Sequence, residues 1–283
     1  MKIAHLILAH SKPQMLERLV KRLSHPDADI YIQLDKKSPI ESFLHIANTG
    51  NVYFVPERVK TEWCAYSTIE AELAGFRHII KTGIAYSHIN LLSGQDYPLR
   101  PVQQFYNFLS ENTGKTFIHS LSIADDEWPD GKARIVRYHM GDYGFKGRYV
   151  LQNIANRILP DRKMPGGLKP YGRSQWFTIT PECAQYAIEY IQNHPKLKRF
   201  FRLTFAVDEI FFQTILENSP LKETIVNDNL RYIESFGANP PTVFTMAHAA
   251  TLVSSGKFFA RKFDTNVDDA IFDYLDKVIG YAE

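Results

Sequence analysis

Residues 3–35 read IAHLILAHSKPQMLERLVKRLSHPDADIYIQLD, and this stretch decides the fold. The apolar run Ile3–Ala9 predicts a buried first strand, and Ser11 is a residue type that often caps helices. Apolar residues then recur at helical spacing, namely Met15, Leu16, Leu19, Val20 and Leu23. The run Ile30–Leu34 predicts a second strand that stops at Asp35. A strand, a helix and a strand in this order indicate two parallel strands joined by a helical crossover.

The alternation of strands and helices continues along the chain. A short strand is predicted at Val52–Val55, a long helix at about Ser67–Lys81, and a buried strand at His88–Leu92. We therefore predict an α/β fold with a central, mostly parallel sheet flanked by helices. Ligands of such sheets bind outside the carboxyl ends of the strands, and both Asp35 and Asp96 follow a predicted strand.

The second half of the chain is less regular. Between about residues 122 and 172 the hydrophobic pattern weakens, and we interpret this segment as an insertion that lines one side of a cleft. Regular elements then resume, with strands predicted at Gln175–Ile179 and Arg231–Ile233 and helices at Pro181–Asn193, Val207–Leu216, Met246–Ser254 and from Asp268 onward. No internal repeat is visible, so residues 1–283 are expected to form one domain.

Composition and charge exclude several classes of protein. The chain has 33 Lys and Arg against 31 Asp and Glu, and this balance favours neither nucleic-acid binding nor a polybasic attachment to membranes. Cys64 and Cys183 form no C-x-x-C pair, so neither a disulfide framework nor a zinc ribbon is expected. No apolar run approaches the roughly 20 residues of a membrane span, and the N-terminus lacks a signal-peptide pattern. We expect a cytoplasmic protein, for which peripheral attachment to the inner face of a membrane is compatible with the sequence.

Familiar catalytic motifs are missing. The sequence has no Walker loop, no G-x-G-x-x-G after the first strand, no G-x-S-x-G elbow and no H-E-x-x-H. The histidines are scattered, so no metal site is expected. A literal D-x-D occurs at Asp27–Asp29, but it precedes the second strand and should point away from the ligand side of the sheet.

Three blocks of sequence combine charged residues with apolar runs. Leu91–Leu99 delivers a strand into a turn with an acid and a proline, a pattern that also suits a purely structural turn. Asp208 and Glu209 lie next to each other before apolar residues, where they could cap a helix, or where burial could raise the pKa of one to suit a general base. Phe258–Asp264 places two cations among aromatic residues, a pattern of a solvated bend or of a diphosphate site.

Five segments, in this order, resemble the core-2/I-branching β-1,6-N-acetylglucosaminyltransferase family, which also contains the peptide O-xylosyltransferases. The segments are Ile32–Asp35, Leu92–Pro98, Gly172–Phe177, Asp208–Thr214 and Phe259–Asp264. The resemblance, to a bacterial-type member, implies a GT-A-like nucleotide-sugar fold and an inverting transfer of N-acetylglucosamine or xylose from a UDP-sugar. The acceptor would be a hydroxyl group of a free or lipid-linked glycan, in surface polysaccharide or glycoconjugate synthesis. The resemblance also implies that no metal or other cofactor is required.

The resemblance further implies roles for single residues. Glu209 is expected to be the catalytic base, and Asp208 to orient that turn or to contact the acceptor. The donor-binding residues are expected to be Asp35, Asp96 and Lys262, and Trp176 is expected to line the donor and acceptor cleft. Arg261 is added to the donor site because its charge lies next to Lys262. Arg134, Arg137 and Tyr138 are acceptor-binding candidates by their polarity and their place on the side of the cleft, not by the resemblance. The nucleotide-binding half would be about residues 1–120, and the acceptor and catalytic half about residues 121–283.

The sequence departs from the family pattern at three places. Val207 stands where relatives often have proline, and Arg173 is an extra residue between the glycine and the serine of its segment. A second basic residue upstream of Lys262 is missing, and either Arg261 or Arg231 would have to replace it.

Two other classes remain open at this stage. A hydrolase could pair Asp208 or Glu209 with a distant acid such as Asp96, although neighbours on a helix point about 100° apart and cannot form the facing pair themselves. A non-catalytic carbohydrate or nucleotide-sugar binding domain would not need a base beside Lys262.

Overall fold

The computed structural model describes residues 1–48, 50–234 and 241–281. The strands in these ranges are β1 (Lys2–Ala9), β2 (Ala28–Leu34), β3 (Val52–Phe54), β4 (Tyr86–Ser93), β5 (Asp96–Pro98), β6 (Thr116–Phe117), β7 (Ser120–Ser122), β8 (Tyr171–Arg173), β9 (Thr178–Ile179), β10 (Ile225–Val226), β11 (Arg231–Ile233) and β12 (Phe259–Arg261). The α-helices are α1 (Pro13–Leu23), α2 (Tyr66–Lys81), α3 (Val102–Glu111), α4 (Pro129–Val136), α5 (Arg148–Ile158), α6 (Pro181–Asn193), α7 (Pro195–Phe201), α8 (Phe211–Glu217), α9 (Ala249–Ser254) and α10 (Ala270–Val278).

The main sheet has the strand order β10-β6-β9-β4-β1-β2-β3. Strand β1 lies between β2 and β4 and pairs with both in parallel, with Ile7 opposite Ile32 on one side and Leu92 on the other. Only β9 runs antiparallel to its neighbours in this sheet. The predicted α/β class, with a central, mostly parallel sheet flanked by helices, is confirmed.

Helices cover the two faces of the sheet, and each face has its own hydrophobic core. Alternate residues of β1 enter different cores, with Ile3 and Ile7 in one and Ala4 and Leu6 in the other. The first core includes the apolar face of α1, whose buried residues are the five that the periodicity predicted. The second core includes the apolar faces of α2, α6 and α8. Burial on both faces explains why β1 and β2 are mostly apolar, although His5, Asp29 and Gln33 are buried within them.

A small second sheet, of order β11-β12-β5, adjoins the main one. Strand β12 runs parallel to β11 and antiparallel to β5, which places Arg261 opposite Asp96. The end of the chain is thereby brought beside the turn that follows β4. The block around Arg261, for which a solvated bend was an open alternative, is therefore a paired strand.

Several elements differ from the sequence-based prediction. The interval from residue 122 to residue 172 contains helices α4 and α5, neither of which was predicted. The helix predicted at Val207–Leu216 is instead a single 3-10 turn, Val207–Glu209, followed by α8. Ala206 precedes that turn with a left-handed φ of 46°, and Ile210 breaks the helical conformation after it. The strand predicted at Gln175–Ile179 is limited to β9.

Within the described residues, no helix has the length and apolar character needed to cross a bilayer. Both cysteines are free thiols.

Candidate active site

The carboxyl ends of β1, β2 and β4 meet at one edge of the sheet. The backbone N–H of Asp35 donates to the carbonyl of Ala9 at 2.8 Å, and that of Gly94 donates to Leu8 at 2.8 Å. The carboxylate of Asp35 accepts a hydrogen bond from the backbone of Lys37 at 2.7 Å and another from the hydroxyl of Thr61. Asp35 therefore fixes the loops at this edge, and its contact with a nucleoside stays a prediction.

Charged groups gather at the same edge. Burial lowers the pKa of His10, and the charges that also act on it are those of Asp35, Arg261, Lys37 and Lys12. Lys12 follows β1 in a left-handed conformation, with φ of 58°, and forms an ion pair with Asp264. The hydrogen bond that Lys12 donates within this ion pair lowers the pKa of Asp264, and the charge of Lys262 adds to the effect. Sequence reasoning missed Lys12, whose signal was a lysine directly after the first strand.

Asp96 and Arg261 form a buried ion pair. Asp96 is 0% exposed, and its carboxylate lies 3.0 Å from Arg261 Nη1 and accepts a hydrogen bond from the backbone of Ser93 at 3.0 Å. The guanidinium of Arg261 lies 4.4 Å from the centre of the Trp176 ring. The carboxylate of Asp96 is therefore covered and positions Arg261, and its contact with the donor stays a prediction. Trp176 is likewise buried beneath Arg261, and its contact with the acceptor stays a prediction.

Lys262 differs from its neighbour. Its amino group forms no ion pair with any residue in the described parts of the chain, whereas Arg261 is held between an acid and an aromatic ring. Arg231, an alternative for a second phosphate-binding cation, is only 3% exposed and donates to the carbonyls of Leu91 at 2.7 Å and Phe177 at 3.0 Å. Burial lowers the pKa of Arg231 to about 10. Arg231 is therefore part of the core, and Lys262 and Arg261 remain the candidates for a diphosphate.

Glu209 lies in the 3-10 turn, with its side chain 34% exposed and paired with Arg134. The guanidinium of Arg134 also lies 4.7 Å from the centre of the Trp128 ring. Strand β8 packs against the turn at Gly172, where a Cβ atom would come within 2.5 Å of the carbonyl oxygen of Glu209. Only glycine permits this approach, which explains its place in the segment Gly172–Phe177.

Asp208 has a different environment from Glu209. Its Oδ1 atom is buried without a hydrogen-bond partner, and burial together with the charge of Glu209 raises its pKa to about 7. Nearby, the fully buried Glu72 of α2 accepts a hydrogen bond from Gln175 at 2.7 Å, while its other oxygen has no partner. Burial raises the pKa of Glu72, and the charge of Asp208 adds to this effect. Sequence reasoning missed Glu72, whose only signal was a single acid on the apolar face of α2.

The segment Thr61–Cys64 connects Asp35 with the turn at Glu209. Thr61 binds Asp35, and the carbonyl of Cys64 accepts a hydrogen bond from the backbone of Ala206 at 2.9 Å. Three residues of extended chain span at most about 11 Å. The end of β2 and the acidic turn are therefore close together on one side of the molecule.

A cavity of about 640 Å³ adjoins Glu209, between α4 and α5. Its lining includes the three residues assigned to the acceptor, Arg134, Arg137 and Tyr138, and also Arg157 and Phe205, which were not predicted. Arg134 reaches both the cavity and Glu209, so the cavity and the acidic turn form one continuous site. Trp63, which is 83% exposed, packs edge-on against Phe205 with ring centres 6.0 Å apart, and it extends this rim with an aromatic surface.

The D-x-D sequence lies at the opposite edge of the sheet, as predicted. Asp29 is buried at the start of β2 and pairs with Lys2 Nζ at 2.8 Å, and the hydroxyl of Tyr86 donates to it. In the described ranges, no group of three or more His, Cys, Asp and Glu side chains is placed to hold a metal ion.

Comparison with known proteins identifies the family. The model of the Core-2/I-Branching enzyme family matches residues 3–254. Xylosyltransferase 2 of Rattus norvegicus is 27% identical over 299 residues, which cover 97% of this chain and 33% of the relative. Xylosyltransferase 1 of Canis lupus familiaris is 29% identical over 305 residues, with coverages of 97% and 30%. The chain thus spans about a third of the length of these relatives.

Among solved structures, that of mouse xyloside xylosyltransferase 1 in its apo form can be superimposed on this chain with a TM-score of 0.37 and 8% identity. The superposition covers 76% of this chain and 81% of the mouse chain. The family model covers most of the chain, and the relatives are glycosyltransferases by name. The chain therefore belongs to the Core-2/I-Branching enzyme family, a family that includes glycosyltransferases.

Proposed function

We propose that this chain is an inverting glycosyltransferase that moves N-acetylglucosamine or xylose from a UDP-sugar to a hydroxyl group of a glycan. The observation that supports this most is the partly exposed carboxylate of Glu209, which is paired with Arg134, a residue that lines the neighbouring cavity. Glu209 removes the proton of the acceptor hydroxyl as its oxygen attacks the anomeric carbon. The bond between that carbon and the diphosphate breaks at the same time, and UDP leaves from the opposite face of the sugar.

The leaving UDP gains negative charge, which a fixed cation stabilises. Lys262 supplies this charge in our proposal, because its amino group has no acidic partner in the described part of the chain. Arg261 adds a second charge whose position Asp96 and Trp176 determine. We propose that these residues replace the metal ion, in agreement with the position of the D-x-D sequence at the far edge of the sheet.

The structure disfavours hydrolysis by a pair of carboxylates. Asp96, the distant acid of that alternative, is fully buried, and the partner of Glu209 is an arginine. A facing pair of exposed acids, as a glycosidase needs, is not formed by these residues.

A lipid-linked glycan is the acceptor that we propose, at the inner face of a membrane. Helix α5 exposes an apolar stripe whose residues are between 47% and 71% exposed, namely Val150, Leu151, Ile154 and Ile158. Lys146 and Arg148 lie at the start of this stripe, and no acidic residue occurs between residues 143 and 160. An apolar stripe with a cationic border fits the surface of an anionic bilayer. The opposite side of α5 lines the cavity, so such docking would bring a membrane-borne acceptor to Glu209.

Measuring UDP release from UDP-xylose and UDP-N-acetylglucosamine with a panel of glycan acceptors tests the proposal. Glu209→Gln keeps the size of the side chain but removes its basicity, so turnover should fall by about 10²–10⁴-fold while calorimetry shows unchanged UDP binding. Wild-type turnover should persist in EDTA and gain little from Mn²⁺.

The matched variant is Asp208→Asn, which should retain more activity than Glu209→Gln. A Glu209→Gln enzyme with more than about a tenth of wild-type turnover would contradict the assignment of the base. Loss of turnover in EDTA that Mn²⁺ restores would contradict the metal-independent mechanism. Absence of UDP release with every donor and acceptor, together with normal UDP binding, would favour a binding domain.

A further inference from the structure

We propose that the acceptor carries an anionic group, a carboxylate or a phosphate on a sugar, and that Arg137 and Arg157 bind it in the cavity beside Glu209. This inference rests on the proposed function and names the class of acceptor. The volume of about 640 Å³ is within the range of roughly 300–1,000 Å³ that is usual for small-molecule sites.

The cavity has an excess of positive charge. Arg134, Arg137 and Arg157 contribute to its lining, against the single acid Asp161. Arg134 is already paired with Glu209. Arg137 and Arg157 form no ion pair with any residue of the ranges 1–48, 50–234 and 241–281, so their charges are free to meet a ligand.

Neighbouring arginine Arg162 does not compete for this ligand. It donates to the carbonyl of Arg137 at 2.8 Å and to other backbone carbonyls, and burial lowers its pKa to about 10. Its guanidinium is stacked 3.9 Å from the centre of the Phe200 ring. Arg162 therefore fixes the backbone at Arg137, and leaves the side chain of Arg137 available.

The wall that presents the two arginines is built before any ligand arrives. Asn156 of α5 accepts a hydrogen bond from the backbone of Tyr138 at 2.7 Å and donates to its carbonyl at 2.8 Å. Gln152, one turn earlier, accepts a hydrogen bond from the backbone of Met140 at 2.9 Å. These three bonds join α5, which contains Arg157, to the segment that follows Arg137. The side chains of Arg137 and Arg157 are exposed, and the fixed backbone that carries them reduces the entropy lost when a ligand binds.

An anion is the ligand that this arrangement favours. Two cations that share a cavity repel each other, and a neutral glycan would leave both without a counter-charge. A carboxylate or phosphate accepts charge-assisted hydrogen bonds from both guanidinium groups. Because Arg134 spans the cavity and the base, the sugar that is held by the anionic group would present a hydroxyl toward Glu209.

Binding can be measured without turnover. Methyl β-glucoside, methyl β-glucuronide and the 6-phosphate of methyl β-glucoside are titrated into the UDP-saturated protein, with ligand-observed NMR as the readout. We expect the wild type to bind at least one anionic glycoside about tenfold or more tightly than the neutral one, the effect of one charged hydrogen bond. Raising the salt concentration should reduce this preference. The two anionic probes distinguish a carboxylate from a phosphate.

The decisive variant is Arg137→Gln/Arg157→Gln, which should abolish the preference, so that the anionic glycosides bind no more tightly than the neutral one. The control variant Lys169→Gln/Lys196→Gln removes two exposed charges outside the cavity and should retain the preference for an anionic glycoside. The inference is overturned if the wild type binds the anionic and neutral glycosides with equal affinity, or binds neither anionic glycoside measurably. It is also overturned if the preference for an anionic glycoside survives in the arginine variant. Failure of the proposed function would instead appear as absent UDP release with the binding preference intact.

Discussion

Replacing Lys262 and replacing Arg261 should have different consequences, although the two residues are adjacent in sequence. Lys262 forms no ion pair in the described part of the chain, although its charge acts on Asp264, whereas Arg261 is paired with Asp96 and stacked on Trp176. We therefore expect Lys262→Ala to weaken UDP binding and to leave folding unchanged. Arg261→Ala should destabilise the fold as well.

The structure sets the size of each effect. Lys262→Ala removes one charged hydrogen bond to the diphosphate, worth about 1.5–3 kcal/mol, so UDP should bind roughly 10- to 150-fold more weakly. A partly exposed lysine without a partner should change the free energy of unfolding by less than about 0.5 kcal/mol. Arg261→Ala leaves the carboxylate of Asp96 buried at 0% exposure without its cation, which costs about 3–5 kcal/mol. For a chain of this size, such a loss lowers Tm by about 10 °C.

Calorimetric titration with UDP and thermal unfolding, on the same samples, separate the two effects. Asp96→Asn/Arg261→Gln is the matched control, because it removes both charges and leaves no unpaired one. This double variant should recover at least about half of the stability that Arg261→Ala loses. The reasoning is refuted if the Tm of Arg261→Ala equals that of the wild type, or if Lys262→Ala binds UDP with unchanged affinity.

Two further outcomes follow from burial and exposure. Burial raises the pKa of Glu72 above its unfolded value, so the cost of burying its charge is absent in acid and grows as the pH rises through the unfolded pKa of about 4.3. In urea unfolding, Glu72→Gln should therefore lose less stability than the wild type between pH 5 and pH 8. Equal losses of stability in the two proteins would contradict this. The exposed stripe of α5 predicts sedimentation with vesicles that contain phosphatidylglycerol but not with pure phosphatidylcholine. Val150→Asp/Ile154→Asp should abolish this sedimentation, whereas Val253→Asp, on the exposed side of α9, should not; binding that persists in the α5 variant would contradict the assignment.

The sequence predicted those helices and strands whose boundaries depend on residues close together in the chain. Helix α6 begins at Pro181 and ends at Asn193, as expected, because Thr180 caps it and the apolar spacing is regular. The first crossover, β1-α1-β2, was also predicted, since its strands are mostly apolar and its helix has one apolar face. Such elements need no information from distant parts of the chain.

The elements that were missed depend on distant contacts. No pattern within a few residues of Asp96 indicates that its partner is Arg261, which is 165 positions away. Helix α5 was missed although its apolar residues recur at helical spacing, because the Gly- and Pro-containing segment around it was interpreted as irregular. That its apolar stripe faces away from the core became visible only in the structure. The carboxylate of Asp96 looked available from sequence because its position at the end of a strand was visible, whereas its burial under the second sheet was not.

The adjacent acids Asp208 and Glu209 show why the site needs its tertiary structure. On the single helix that the sequence predicted, both would have been candidates for the base by their position alone. In the observed turn, burial and the charge of Glu209 raise the pKa of Asp208 to about 7, so a large fraction of this side chain is protonated at neutral pH. One oxygen of Asp208 is also buried without a hydrogen-bond partner. The carboxylate of Glu209 is instead 34% exposed and paired with Arg134, which lines the cavity. The tertiary structure therefore distinguishes two acids that are equivalent in sequence, and it favours Glu209 as the one that an acceptor hydroxyl can reach.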